Sequence, residues 1–253
     1  MDWAVEASGV TKIYRPSLRF EDLIRMRFHK EPVQALQGID MALSPGKVHA
    51  FIGANGAGKT TLLKIIAGLL RPTTGTIRIS GIDPAKDPLH VKKMVGFGLT
   101  EVRSFFLRLS GMENLRFFGV LYGMTKTQAR ERSIELLDWV GLHDKADKVV
   151  WSYSAGMQQR LSIARSMIHD PKLLIFDEVT RGLDLAMRQK TLDLIKSLAS
   201  DKGRTVILAS HDMDAVKYAA DLVWVIDKGK IIGKGTFFDM KPLLEQCFDR
   251  VIS

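Results

Sequence analysis

The stretch "GANGAGKT", Gly53 to Thr60, follows the short apolar run "VHAFI" (48–52) and opens into "KTTLLKIIAGLL" (59–70). Strand, glycine-rich turn and helix therefore succeed one another, which is the context the pattern G-x-x-x-x-G-K-[ST] requires. Glycines let consecutive backbone N–H groups point inward around a phosphate, and the helix N-terminus adds its dipole. On this reading Gly53, Asn55, Gly56, Ala57, Gly58, Lys59, Thr60 and Thr61 form a nucleotide phosphate site. Lys59 reaches the β- and γ-phosphates, and the Thr60 hydroxyl is placed to ligate Mg²⁺.

Working outward, the chain alternates strand and helix. "VEASGVTKIY" (5–14) alternates like a strand, and "IDMALSPGKVHAFIG" (39–53) reads as strand, Ser-Pro-Gly turn and buried strand. The helix from Lys59 is expected to stop at Arg71-Pro72, and "TIRIS" and "MVGFG" are short strands. From about 105 to 168 the pattern turns helical, with a capping box at Thr125 and Gln128 and a stop at Gly141. Strands return in "KLLIFDE" and "TVILAS" around the helix "LAMRQKTLDLIKSLAS", and "DLVWVIDKGKIIGKG" is a hairpin turning at Lys228-Gly229. The predicted class is α/β: a P-loop core with a mainly parallel sheet, an N-terminal antiparallel region and an inserted helical subdomain. One domain covers 1–253, with core at about 1–96 and 169–253 and the helical part at about 97–168.

The acids of "KLLIFDE" fall where open α/β sheets bind ligands, at the carboxyl end of a buried strand. Asp177 can hold Mg²⁺ there, and Glu178, diverging from it, can orient or deprotonate a water. The next strand ends in "ASHD", which puts His211 on the same edge for a γ-phosphate contact. Earlier in the chain sits "YSAGMQQRL" (153–161), a helix that Ser154 can cap but that spends its first turn on Ala155 and Gly156. Glycine inside a helix costs roughly 1 kcal/mol, so bare backbone at this N-terminus suggests an anion.

Composition sets the outer bounds. The chain has 253 residues, 46% hydrophobic and 26% charged, which describes an ordinary globular protein. Its apolar runs are far shorter than the ~20 residues that span a bilayer, and "MDWAVEAS" is not a secretory signal. The lone Cys247 excludes an internal disulfide and fits a reducing compartment. Much of the +9 net charge lies in "RPSLRFEDLIRMRFHK" (15–30), a solvated basic helix or a segment near an anionic membrane surface. Groove-binding motifs are absent, so no nucleic-acid partner is expected.

Together these residues resemble the ATPase subunits of ABC (ATP-binding cassette) transporters over nearly the whole chain. The order of motifs carries the likeness: "GANGAGKTT", "LLIFDE", "RGLD" (181–184) and His211, with "YSAGMQQRL" in the place of the signature. The resemblance implies a cytoplasmic, peripheral ATPase that dimerises around two Mg-ATP and drives a polytopic membrane subunit. It also implies that Lys59, Glu178 and His211 serve catalysis and that Ser154 and Gly156 bind the partner's ATP in trans. Asp184 would lie at the dimer contact and Tyr14 would stack on adenine. Two departures stand out. The signature has Ala155 and Met157 where the common form has Gly and Gln, and a glutamine expected after "VGFGLT" is replaced by Thr100 and Glu101. Either of these is a candidate ligand of metal or water. Within the family, "GIDP", "LSGMENLRFFGVLYGM" and "SAGM" resemble exporters whose membrane half is a separate chain. The rival reading is a soluble ABC ATPase acting on ribosomes or nucleic acid.

Overall fold

In the computed structural model, residues 3–15, 31–98 and 105–252 are described, with side chains up to Cys247. Among them, two sheets stand on either side of the P-loop helix. Strands β1 (Val5–Tyr14), β2 (Val33–Leu43) and β4 (Thr74–Ile79) form an antiparallel sheet in the order β2-β1-β4. The second sheet has the order β5-β6-β7-β3-β8-β9, from β3 (Val48–Ile52), β5 (Val95–Gly98), β6 (Leu173–Asp177), β7 (Thr205–Ser210), β8 (Leu222–Asp227) and β9 (Lys230–Gly235). All its neighbours are parallel except β8 and β9. The apolar runs account for this. Every residue of β3 is buried, as a strand covered on both faces must be. The antiparallel edge follows from Lys228 and Gly229, whose φ values of 45° and 76° suit a two-residue hairpin turn.

Each face of the parallel sheet has its own apolar packing. On one face, Phe51, Ile175, Ile207 and Ile226 pack with Leu62, Leu63, Ile65 and Ile66 of α1 (Lys59–Ile66), and the antiparallel sheet joins the same cluster. On the other, Phe176 and Leu208 pack with α3 (Gly111–Leu121), α4 (Lys126–Trp139), α5 (Ala155–Ser166) and α6 (Leu185–Ser200). A third cluster gathers Ile52 and Val225 with α7 (Met213–Ala219) and α8 (Phe237–Ile252), while α2 (Pro88–Met94) leads into β5. The helices between 111 and 166 thus share their apolar core with the sheet. Both halves of the capping box at Thr125 and Gln128 form, and Ser110 with Glu113 makes another at α3.

Helix α1 is shorter than its sequence suggests. It ends at Ile66, not at Arg71-Pro72, because Gly68 takes φ 68° and Leu69 N–H turns back to the Lys64 carbonyl at 2.9 Å. A glycine in the left-handed region closes a helix before a proline is reached.

Near the start of β3, fully buried His49 accepts from Trp224 Nε1–H through Nδ1 at 3.3 Å and donates through Nε2 to the Ser44 carbonyl at 2.8 Å. Burial pushes its pKa below the usual imidazole value, so the neutral ring is the stable form.

Candidate active site

The loop between β3 and α1 needs glycine for three separate reasons. A Cβ on Gly53 would lie 2.1 Å from the Ile226 carbonyl oxygen, so β8 excludes any side chain there. Gly56 has open space around it but a φ of 82°, which other residues rarely adopt. Gly58 combines a φ of 107° with the Ala35 carbonyl 2.6 Å from where a Cβ would sit. As the N-cap of α1, Gly58 offers no side chain to its first N–H groups. Those donors face a cavity of about 540 Å³ lined by Asn55 to Thr61, Asp177, Glu178, Ala35 and Arg181. An uncapped N-terminus at the floor of a cavity is suited to phosphate.

Lys59 is buried, and its ammonium donates to the carbonyls of Gly53 (2.6 Å) and Ala54 (3.1 Å). Burial lowers its pKa, while Glu178 and Asp177 work in the opposite direction. Thr60 Oγ1–H donates to Asp177 Oδ2 at 2.8 Å, joining α1 to the end of β6. Burial also raises the Asp177 pKa; the Thr60 hydrogen bond opposes this, and Glu178 adds to it. A hydroxyl and a carboxylate side by side are hard oxygen donors that fit Mg²⁺. Among the described residues no cluster of three or more His, Cys, Asp or Glu could hold a metal alone, so a cation here would complete its shell with substrate oxygens and water.

Glu178 leaves the strand with φ 55°, and its N–H donates to the Ala209 carbonyl at 2.9 Å. For a non-glycine residue that backbone costs roughly 1–2 kcal/mol. The turn aims its carboxylate at His211, with Oε2 2.8 Å from Nδ1. The next residue, Asp212, caps α7 and accepts from Arg188 Nη2 at 2.6 Å, which anchors the histidine's loop to α6. The structure therefore brings Lys59, Thr60, Asp177, Glu178 and His211 to one sheet edge. Tyr14 joins them from β1: its hydroxyl lies 3.4 Å from Thr61 Oγ1 and its ring is 41% exposed.

Three other expected residues sit apart from this cavity. Ser154 caps α5, accepting from Met157 N–H at 3.3 Å, and Asp184 caps α6, accepting from Met187 N–H at 3.0 Å. Gly156 is buried, and a Cβ on it would stand 3.1 Å from Met187 Cγ. Its bare backbone is therefore used within the chain for packing on α6. Thr100 and Glu101 lie outside the described residues, as does the basic segment from 16 to 30. Sequence reasoning missed Ala35 and Arg181 on the cavity wall. Arg181 had a signal available, a cation three residues after Glu178; Ala35, a small residue in a distant strand, had none.

A phosphate cradle at the carboxyl edge of a parallel sheet, with an Asp-Glu pair and a histidine beside it, defines a P-loop nucleotide hydrolase. The chain belongs to the ABC transporter family, whose model matches residues 36–181, and it is an ATPase of that family. It is 36% identical over 241 residues to the daunorubicin/doxorubicin resistance ATP-binding protein DrrA of Streptomyces peucetius, covering 95% of this chain and 68% of that one. It is also 36% identical to the methionine import ATP-binding protein MetN 1 of Rhodococcus jostii (strain RHA1), over 86% of this chain and 66% of the relative. Among solved structures, a dimeric post-hydrolysis state of the ATP-binding cassette MJ0796, bound to ADP and Pi, superposes with a TM-score of 0.79 at 25% identity. That match covers 92% of this chain and 98% of the other.

Proposed function

We propose that this chain pairs with a second ATPase subunit around two Mg-ATP and drives a separate membrane subunit, as an exporter working from the cytoplasmic face. The observation that carries the chemistry is the shared cavity of Lys59, Thr60, Asp177 and Glu178 at the α1 N-terminus. In this reading the α1 N–H groups and Lys59 hold the β- and γ-phosphates, and Tyr14 stacks on adenine. Thr60 and Asp177 would hold Mg²⁺, which supplies charge neutralisation on the phosphates. Glu178 takes a proton from the attacking water as the bond from the γ-phosphorus to the leaving ADP oxygen breaks. His211 fixes the Glu178 carboxylate through the 2.8 Å contact and lies within the same edge for the γ-phosphate.

The second subunit supplies what one chain lacks. Ser154 and the backbone at Gly156 would meet the partner's γ-phosphate, with Asp184 at the contact between subunits. The dimeric MJ0796 structure supports this pairing. A separate membrane partner is supported by membership of a transporter family; no described helix is itself long and apolar enough to cross a membrane. Export draws support from the likeness to the resistance protein DrrA, and MetN 1 is an importer of equal identity, so the direction calls for its own assay. Co-purification with a polytopic protein, followed by transport into inside-out vesicles, tests both points. Retention on rRNA or DNA with no membrane partner would sink the proposal, and uptake in the opposite sense would overturn export alone.

A further inference from the structure

After Glu178 the chain doubles back on itself. Arg181 N–H donates to the Glu178 carbonyl at 3.0 Å, Leu183 N–H donates to the Thr180 carbonyl at 3.3 Å, and Gly182 takes φ 75°. This turn brings Arg181 to the wall of the phosphate cavity that the P-loop also lines. The neighbouring Arg188 is committed, pairing with Asp212 at 2.6 Å. Among the described residues, the Arg181 guanidinium has neither an ion pair nor a hydrogen bond.

Charge explains why the cavity needs it. Asp177 and Glu178 place two carboxylates in the lining against the single ammonium of Lys59. A cation held by Thr60 and Asp177 would offset part of that negative charge, and a further positive charge on the wall adds attraction for the terminal phosphate. Arg181 supplies that charge, and a guanidinium offers a planar fork of donors matched to phosphate oxygens. We propose that Arg181 contacts the terminal phosphate of bound ATP and thereby sets the preference of this site for ATP over ADP. The inference rests on the reading of the cavity as an ATP phosphate site. It adds a contact that is anchored to Glu178 by its own backbone, so the charge that recognises the γ-phosphate and the acid that faces the water move together.

The test is equilibrium binding of ATP and of ADP to the full chain in a Glu178→Gln background, where ATP survives the measurement. Arg181→Ala should weaken ATP binding roughly tenfold, the size of one lost charge-assisted hydrogen bond, and leave ADP binding unchanged. Arg181→Lys should recover part of the ATP affinity, because a point charge replaces the fork. Equal losses for ATP and ADP would reduce Arg181 to a structural prop, and unchanged ATP binding would remove it from the site; either overturns the inference. Lys59→Ala serves as the separate control. Loss of both nucleotides upholds the phosphate site, whereas full retention of both would overturn that underlying reading.

Discussion

Two helices of this protein start on small residues, and their N-termini have opposite fates. Helix α1 begins after a left-handed Gly58 with no side-chain cap, and its free N–H groups open into a walled cavity. Helix α5 begins after the cap Ser154, whose hydroxyl already accepts from Met157 N–H, and Ser154 is exposed. Around α1 the glycines answer to backbone conformation and to the close approach of β8 and the Ala35 carbonyl, and the donors they leave uncapped face the cavity. At α5, Gly156 is bare because Met187 packs on it. A small residue at a helix start is thus not evidence of an anion until the surrounding walls are known. In a single chain α1 has walls and α5 does not, so α5 can become a phosphate site only when another surface closes over it.

The sharpest break in that comparison comes from the acid beside α1. Glu178→Gln keeps the shape of the site and removes its base, so hydrolysis should fall by ~10²–10⁴-fold while ATP still binds. Gel filtration with ATP should then show an accumulated dimer; a monomer both in isolation and with the membrane subunit would argue against closure around two ATP. At the other helix, Ser154→Arg should cost at least about tenfold in hydrolysis by blocking the partner's phosphate, with ATP binding at the P-loop intact. Mixing it with Lys59→Ala rebuilds one composite site and should recover some turnover. If Ser154→Arg alone abolished ATP binding, the two N-termini would belong to one site and the contrast would fail.

A finer cut is Gly156→Ala. The new methyl presses on the flexible end of Met187, and alanine favours helix by roughly 1 kcal/mol, so the two effects oppose each other and stability should change by under about 1 kcal/mol. Any larger loss of hydrolysis at unchanged melting temperature would show that bare backbone there serves the ligand as well as the packing. The smallest effect touches neither helix. Neutral His49 has a folded pKa below its ordinary 6.5, so the unfolded chain binds the extra proton and stability falls as pH drops below about 6.5. Denaturant midpoints at pH 7.5 and 5.5 should differ in the wild type and differ less in His49→Gln.

Local features were readable from the chain. The P-loop, the capping box at Thr125, the hairpin at Lys228-Gly229 and the buried strands all depend on a few consecutive residues whose backbone preferences settle them. For helix α1 the Arg71-Pro72 pair is a misleading stop signal, because Gly68 closes the helix before the proline is reached. The functional reading of Ser154 and Gly156 came from resemblance, and the fold shows how little their local pattern alone had decided.

By itself, then, the sequence determined which residues carry charge and which loop can wrap a phosphate, because glycine conformation and strand apolarity act over neighbouring positions. Only the tertiary structure decided that Glu178 faces His211, that Thr60 bonds Asp177, that Tyr14 reaches Thr61 and that Arg181 turns back to the cavity. These meetings join distant strands or follow from one left-handed residue, and their geometry is set by the register of a sheet that forms only when the whole core packs.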